Sequence, residues 1–211
     1  IEFIDKYKIK VANLYGLSET GPTHLDDPRE KGWKPGTIGK PLSVCKFKLD
    51  KKNNILIKGK NVFVGYYKNK NLFKKSFVNK KWFITGDIGK EEKGNIFFLD
   101  RSKDLIIKNG INIVPGEIEE EIYKSKKILE CCVVGIDDEI QGEEIAVAIK
   151  PNNSNLKFNL LVDFIKKQCK ESLSNYKVPK HFYLLDNFPK TASGKIKRML
   201  IRKKLNVVYN K

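Results

Sequence analysis

Short β-prone runs of apolar residues, separated by polar turns, fill the first hundred residues of the chain. Two of these runs, at 44–50 and 55–58, are joined by a polar turn and predict a β-hairpin. A turn at 90–94 that leads into Ile96–Leu99 predicts a second pair of strands, and a short helix is predicted near 69–77. The first hundred residues are therefore expected to be mainly β.

The pattern changes after Arg101. Two short apolar runs, at 105–107 and 111–113, flank Asn109-Gly110, a pair that supplies the positive φ angles of a type I′ turn, so a tight hairpin is predicted. Pro115 suits the first position of the helix that follows, and the glutamates after it favour the positive N-terminal end of that helix. The sequence thus predicts both the turn and the start of the helix that follows it.

Further elements follow in an alternating order that predicts a βαββαβ-like unit. They are strands at 131–136, 145–149 and 182–185, a loop at 151–155 and a helix at 161–169. The expected fold class is therefore α+β, with a mainly β segment at 1–102 and a small α+β domain at 103–211. The boundary is predicted near Lys103.

The net charge of the chain indicates a binding function at one segment only. The formal net charge is +17, but 38 of the 42 basic residues are lysine and they are spread along the chain, which is typical of a solvated surface. No nucleic-acid partner is expected, because such proteins cluster their basic residues and use arginine. The exception is 187–211, where eight basic residues and no acidic one create positive potential near Lys195 that suits phosphate-bearing ligands.

Cysteine and hydrophobic content exclude two further classes. The cysteines are Cys45, Cys131, Cys132 and Cys169. None has CxxC spacing or a nearby histidine, so no zinc site is predicted, and Cys131 and Cys132 are expected on opposite faces of a strand. Buried, reduced thiols favour an intracellular, cytoplasmic location. No apolar run reaches the about 20 residues of a membrane span, and His24 and His181 lack a catalytic pattern.

Four motifs carry candidate chemistry, in a fixed order along the chain. They are the segments YGLSET at 15–20, TGD at 85–87, DRSKD at 100–104 running on to PGEIE at 115–119, and PKTASGKIKR at 189–198. The first is predicted to be a short loop whose ring can stack on a base and whose carboxylate can reach Mg²⁺. A carboxylate and a guanidinium, at Asp87 and Arg101, suit the two hydroxyls of a vicinal diol.

Together the motifs resemble the signature of adenylate-forming enzymes, the family of acyl-CoA synthetases, peptide-synthetase adenylation domains and luciferases. The resemblance implies that the first motif binds nucleotide, with Tyr15 on adenine, Gly16 beside it and Ser18 on a phosphate. It also implies that Glu19 binds the metal and takes part in catalysis. Residues 1–102 would then be the C-terminal subdomain of the large AMP-binding domain, and 103–211 the small mobile domain.

Later positions gain roles from the same resemblance. Asp87 and Arg101 are implied to bind the ribose hydroxyls, Lys103 to be the hinge between two half-reactions, and Gly110 to lie beside the pantetheine arm of CoA. Lys195 is the implied catalytic residue of the first half-reaction, because a cation there stabilises negative charge that builds on the α-phosphate of ATP.

The expected reaction is the activation of a carboxylic acid by ATP and Mg²⁺ to acyl-AMP, followed by transfer to CoA. The chain begins at Ile1 and lacks a Ser/Thr/Gly-rich phosphate loop, so we expect a missing N-terminal domain as its native partner and no activity of the chain alone. The last segment resembles acyl-CoA ligases for oxalate, coumarate or medium-chain fatty acids. A peptide-synthetase adenylation domain, a luciferase and a noncatalytic basic binding module stay open as alternatives.

Overall fold

The computed structural model describes residues 2–31, 33–153 and 157–210, and its fold is α+β as predicted. The chain divides into two compact units, Ile1–Ser102 and Lys103–Lys211. In the described part of the chain, no helix is long and apolar enough to cross a membrane.

The first unit is mainly β, as its sequence predicts. Its elements are α1 (Glu2–Tyr7), β1 (Asn13–Leu17), β2 (Gly21–Asp26), β3 (Lys40–Pro41), β4 (Cys45–Leu49), β5 (Asn54–Gly59), α2 (Lys70–Lys75), β6 (Phe77–Val78), β7 (Trp82–Glu92) and β8 (Asn95–Arg101). One antiparallel sheet has the order β1-β2-β3, and the other has the order β4-β5-β7-β6 with β8 paired to β7. Both predicted strand pairs, β4 with β5 and β7 with β8, are confirmed.

The predicted short helix near 69–77 is α2, and its start has a local cause. The side chain of Asn69 accepts a hydrogen bond from the Leu72 N–H at 3.0 Å, which satisfies one of the free N–H groups of the first turn. Apolar side chains beneath the larger sheet form the core of this unit. They are Ile38, Cys45, Ile55, Ile57 and Ile96.

The second unit confirms the predicted order of elements. They are β9 (Ile106–Lys108), β10 (Ile111–Ile113), α3 (Pro115–Tyr123), β11 (Ile128–Asp138), β12 (Gly142–Pro151), α4 (Phe158–Ser172), β13 (His181–Leu184) and α5 (Arg198–Tyr209). The sheet has the order β10-β9-β12-β11, and β13 pairs parallel with β12. The turn at Asn109 and Gly110 has φ angles of 50° and 76°, as the sequence predicts. The predicted loop at 151–155 lies partly outside the described residues.

Helices cover both faces of this sheet. On one face Cys131 belongs to a core with side chains of α3 and α4, such as Ile118 and Ile165. On the other face Cys132 belongs to a core with Ile201 and Leu205 of α5. The predicted opposite orientation of the two cysteines is therefore confirmed, and all four cysteines of the chain are buried free thiols. Burying each such aliphatic side chain contributes about 1.5–3 kcal/mol, so this double layer fixes the sheet between its helices.

Candidate functional site

The first motif does not form a loop over its whole length. Tyr15 to Leu17 end strand β1, where Tyr15 pairs with His24 of β2, so the predicted loop is wrong for these residues. The reason is the antiparallel pairing with β2, a partner that no pattern within the motif reveals. Only Ser18 to Thr20 form the turn, which the Thr20 N–H closes on the Leu17 carbonyl at 3.1 Å.

At Gly16 the backbones of β1 and β2 lie too close together for a side chain to fit. The strand register shifts between Tyr15 and Gly16, and a Cβ at Gly16 would overlap the Gly21 carbonyl oxygen. Because the overlapped atom belongs to backbone, it has little freedom to move aside. The sequence therefore needs glycine here to bring the turn at 18–20 close against β2.

The structure brings three of the predicted residues together. Tyr15 Oη donates a hydrogen bond to Asp87 Oδ2 at 2.7 Å, and Arg101 Nε lies 3.3 Å from Asp87 Oδ1. Asp87 and Arg101 are direct partners across strands β7 and β8. An irregular stretch of β7, in which Gly86 has a φ of 76°, precedes Asp87 and shifts its register against β5.

Burial controls the electrostatics of this trio. Asp87 is only 2% exposed, and burial raises the pKa of its carboxyl although the Tyr15 hydrogen bond and Arg101 act to lower it. Burial and the same carboxylate raise the pKa of Tyr15, so its hydroxyl stays a donor. Within the described residues Asp87 Oδ1 accepts no hydrogen bond. Its partner is instead the Arg101 guanidinium, which lies 3.3 Å away as an ion pair.

A cavity of about 620 Å³ adjoins the trio, a volume in the ordinary range for small-molecule sites. Its lining residues are Leu14, Gly16, Leu17, Ser18, Glu19, Gly21, Pro22, Thr85 and Arg101. The predicted residues Gly16, Ser18, Glu19 and Arg101 are thus brought together at one surface. Tyr15 does not line the cavity, and Asp87 is in contact with it only through Arg101.

Two residues of this site were missed by the sequence reasoning. Thr85 lines the cavity, and its Oγ1 donates to the Ile55 carbonyl at 2.8 Å and accepts from the Asp87 N–H at 3.1 Å. Tyr66 donates to Glu19 Oε1 at 3.0 Å. Thr85 stood in the quoted motif and could have been found there, whereas nothing in the sequence near Tyr66 indicates that it contacts Glu19.

Lys195 lies in the second unit, on an exposed loop with a well-defined backbone. The Thr191 N–H donates to the Lys195 carbonyl at 2.8 Å, and Thr191 Oγ1 accepts from the Lys195 N–H at 3.1 Å. Gly194, with a φ of 82°, makes this reversal possible. The loop ends at α5, where Arg198 pairs with Glu119 at 2.6 Å. Hydrogen bonds within the loop therefore fix the backbone from which the Lys195 side chain extends.

The remaining predicted residues also belong to the second unit. Lys103 lies in a single turn of 3₁₀ helix, Ser102–Asp104, which spans the division between the units. Gly110 lies at the exposed turn between β9 and β10. The predicted site residues thus form two sets, one on each unit.

Magnesium fits the donor chemistry of the first set. The described residues contain no group of three or more potential metal ligands. Mg²⁺ does not need one, because it binds through one or two carboxylates and takes its other ligands from phosphates and water. Glu19, a carboxylate on the rim of the cavity, is suited to that role.

Comparison with known proteins finds a matching family model and similar CoA ligases. The family model described as AMP-binding enzyme C-terminal domain matches residues 117–195. The 2-succinylbenzoate–CoA ligase of Bacillus licheniformis is 35% identical over 209 residues, which cover 94% of this chain and 42% of that protein. The sulfoacetate–CoA ligase of Cupriavidus necator is 29% identical over 208 residues, which cover 93% of this chain and 40% of that protein.

Two solved structures are also similar to this chain over nearly its whole length. ATP-bound MatB from Rhodopseudomonas palustris has a TM-score of 0.88 at 27% identity, over 99% of this chain and 43% of that one. The o-succinylbenzoate coenzyme A synthetase of Bacillus subtilis in complex with AMP has a TM-score of 0.79 at 30% identity, over 95% of this chain and 42% of that one. The chain therefore spans about two fifths of the length of the relatives that it matches.

Proposed function

We propose that the chain belongs to the AMP-binding enzymes and is the C-terminal part of a ligase that joins a carboxylic acid to CoA, since the family model and the similar CoA ligases support this. The observation that carries the proposal is the Tyr15–Asp87–Arg101 trio beside a cavity lined by Ser18 and Glu19. The guanidinium of Arg101, the hydroxyl of Ser18 and the carboxylate of Glu19 at one cavity match the functional groups of a magnesium-bound nucleotide.

In the first half-reaction the acid's carboxylate attacks the α-phosphate of ATP, forming acyl-AMP and releasing pyrophosphate. Asp87 accepts and Arg101 donates hydrogen bonds at the ribose hydroxyls, while Tyr15 supports the adenine and Ser18 donates to a phosphate. Mg²⁺ held by Glu19 supplies charge neutralisation on the phosphates when it is bound. Lys195 stabilises the negative charge that develops on the transferring phosphoryl group.

In the second half-reaction the CoA thiol attacks the acyl carbonyl and AMP leaves. The turn at Gly110 provides close backbone approach for the pantetheine arm, and Lys103 is the hinge on which the small domain rotates between the two steps. The acid remains open: relatives named for 2-succinylbenzoate and for sulfoacetate favour a small or aromatic acid, and a fatty acid is a further candidate. The native partner is the N-terminal domain, inside the cell where ATP and CoA are supplied.

Lys195→Ala in the complete protein tests the first half-reaction. The rate of acid-dependent AMP formation should fall by about 100-fold to 1000-fold, as when one preorganised electrostatic group is removed. Lys197→Ala is the matched control, because Lys197 is an exposed lysine of the same loop. A Lys195→Ala protein that forms acyl-AMP at the normal rate would remove Lys195 from catalysis.

Lys103→Pro tests the hinge. Proline fixes φ and removes the backbone donor, so the complete protein should keep acyl-AMP formation and lose most thioester formation. Lys103→Ala removes the same side chain without the backbone restriction and should retain both steps. Equal loss of both half-reactions in Lys103→Pro would contradict a hinge at this position.

A further inference from the structure

One segment of the first unit, 61–66, contacts the turn that carries Glu19 at three places. Asn61 Nδ2 donates to the Thr20 carbonyl at 2.9 Å, and the Phe63 N–H donates to the Glu19 carbonyl at 2.8 Å. Tyr66 Oη donates to Glu19 Oε1 at 3.0 Å. The backbone and the side chain of Glu19 are therefore both held by a segment more than forty residues away in sequence.

Aromatic rings fix the direction of the Tyr66 side chain. The Tyr66 ring lies edge-on to Phe63, with 4.7 Å between centroids. Phe63 in turn contacts Phe73 at 5.3 Å and Phe83 at 5.4 Å, so the ring is tied to α2 and to β7. Edge-to-face pairs of this kind are attractive beyond the burial of the rings. The Tyr66 hydroxyl, which donates to Glu19, is thus held in place by packed aromatic rings.

The hydrogen bond occupies one carboxylate oxygen of Glu19 and not the other. Within the described part of the chain, Oε2 of Glu19 receives no hydrogen bond, and the residue lines the cavity described above. We infer that Tyr66 is a positioning residue, which holds Oε1 so that Oε2 is available to a magnesium–nucleotide complex in the cavity. The inference rests on the proposed function for the role of Glu19.

Tyr66 acts as a donor over the whole physiological pH range. A phenol ordinarily keeps its proton up to a pH of about 10, and the Tyr66 hydroxyl donates to a carboxylate that can only accept. A hydrogen bond to a charged group is among the stronger hydrogen bonds in proteins, so it favours one orientation of the carboxylate. The pair therefore keeps Glu19 in one orientation before any ligand arrives.

Tyr66→Phe in the complete protein tests the inference, since it removes the hydroxyl and keeps the ring. Calorimetric titration should show that the Mg²⁺ concentration needed for half-maximal ATP binding rises by about tenfold, the effect of losing one hydrogen bond to a charged group. Binding of AMP in the presence of EDTA should be unchanged. Tyr67→Phe is the matched control, because Tyr67 is the next residue and is 88% exposed.

A double variant distinguishes a positioning role of Tyr66 from a role in packing alone. If Tyr66 acts through Glu19, the variant carrying both Tyr66→Phe and Glu19→Gln should need the same Mg²⁺ concentration as Glu19→Gln alone. Unchanged Mg²⁺ dependence in Tyr66→Phe, or an equal loss of metal-free AMP binding, would overturn the inference while leaving the nucleotide site in place. Absence of any nucleotide binding by the unmodified protein would instead overturn the proposed function and the inference with it.

Discussion

The most deeply buried described carboxylates of the two units, Asp87 and Glu144, have opposite surroundings. Glu144, 1% exposed, accepts hydrogen bonds from Lys108 at 2.5 Å, Lys180 at 2.8 Å and the Ile145 N–H at 2.8 Å. Asp87, 2% exposed, accepts one hydrogen bond, from Tyr15, and its other oxygen has only the Arg101 ion pair at 3.3 Å. One carboxylate is saturated by its own chain, and the other is not.

Their pKa values differ in direction for the same reason. Burial opposes ionisation of Glu144, but the donors from two lysines and the backbone outweigh it and lower its pKa to about 2. Burial raises the pKa of Asp87, and its fewer partners do not compensate. A buried charge whose donors all come from its own chain holds a fold together, and Glu144 is therefore expected to serve stability. Asp87 has fewer donors and its partner Arg101 lines the cavity, so we propose that Asp87 serves binding.

The largest effect is expected from Glu144→Gln. The change leaves Lys108, whose side chain is 7% exposed, without its counter-charge, and breaking a buried pair in this way costs about 3–5 kcal/mol. Urea unfolding followed by far-ultraviolet circular dichroism should show this loss. Glu130→Gln is the control, because its pair with Lys190 is partly exposed and should contribute about 0–1 kcal/mol.

The loss should be confined to the second unit. Both tryptophans, Trp33 and Trp82, lie in the first unit, so their emission reports its unfolding separately. In Glu144→Gln the tryptophan transition should keep its midpoint. A variant as stable as Glu130→Gln would show that Glu144 does not hold the second unit together.

His24 is a second buried polar side chain of the first unit, and like Asp87 it does not line the cavity. It is fully buried, its Nε2 has no partner among the described residues, and burial lowers its pKa to about 4. Between pH 6.5 and 4 the unfolded chain binds a proton at this imidazole and the folded chain does not. Stability is therefore complete above pH 6.5 and falls toward pH 4, by about 3 kcal/mol at 1.36 kcal/mol per pKa unit.

His24→Phe removes the titrating group and keeps a ring between its neighbours Tyr15 and Phe47. Urea unfolding followed by tryptophan emission at pH 7 and pH 4.5 should show a smaller pH dependence in the variant. Parallel losses in both proteins would mean that other groups in the first unit control its acid sensitivity. The expected result assigns part of the acid sensitivity of the first unit to His24.

Local signals made much of this molecule predictable from its sequence. The Asn109-Gly110 turn and the helix start at Pro115 follow from the backbone preferences of those residues, which neighbours do not override. The alternation of Cys131 and Cys132 follows from strand geometry alone. The backbone conformation at Lys195 follows from the hydrogen bonds and the glycine within its own loop. Each of these features needs only a few consecutive residues.

What could not be predicted depends on residues that are distant in sequence. Tyr66 meets Glu19 across 47 positions, and Lys108 meets Glu144 across 36. Tyr15 lies on a strand because of its partner in β2, which the motif does not contain. Such contacts are set by strand register and by packing between elements, and no spacing rule encodes them.

The smallest change in stability is expected from Asp87→Asn. The folded chain binds the Asp87 proton more tightly than the unfolded chain, so the stability contribution of this carboxyl declines as pH rises from 3.8 through its raised pKa. At pH 7 the ionised group therefore opposes folding, and asparagine removes that opposition while still accepting from Tyr15. The tryptophan unfolding midpoint should stay the same or rise.

Binding should respond in the opposite sense to stability. An amide offers one acceptor oxygen where the carboxylate offers two, so AMP affinity of the complete Asp87→Asn protein should fall by about tenfold, the effect of one hydrogen bond to a charged group. Glu144→Gln should retain AMP affinity under conditions in which it stays folded. If Asp87→Asn instead loses stability and keeps affinity, then Asp87 serves the fold as Glu144 does, and its pairing with Arg101 is structural.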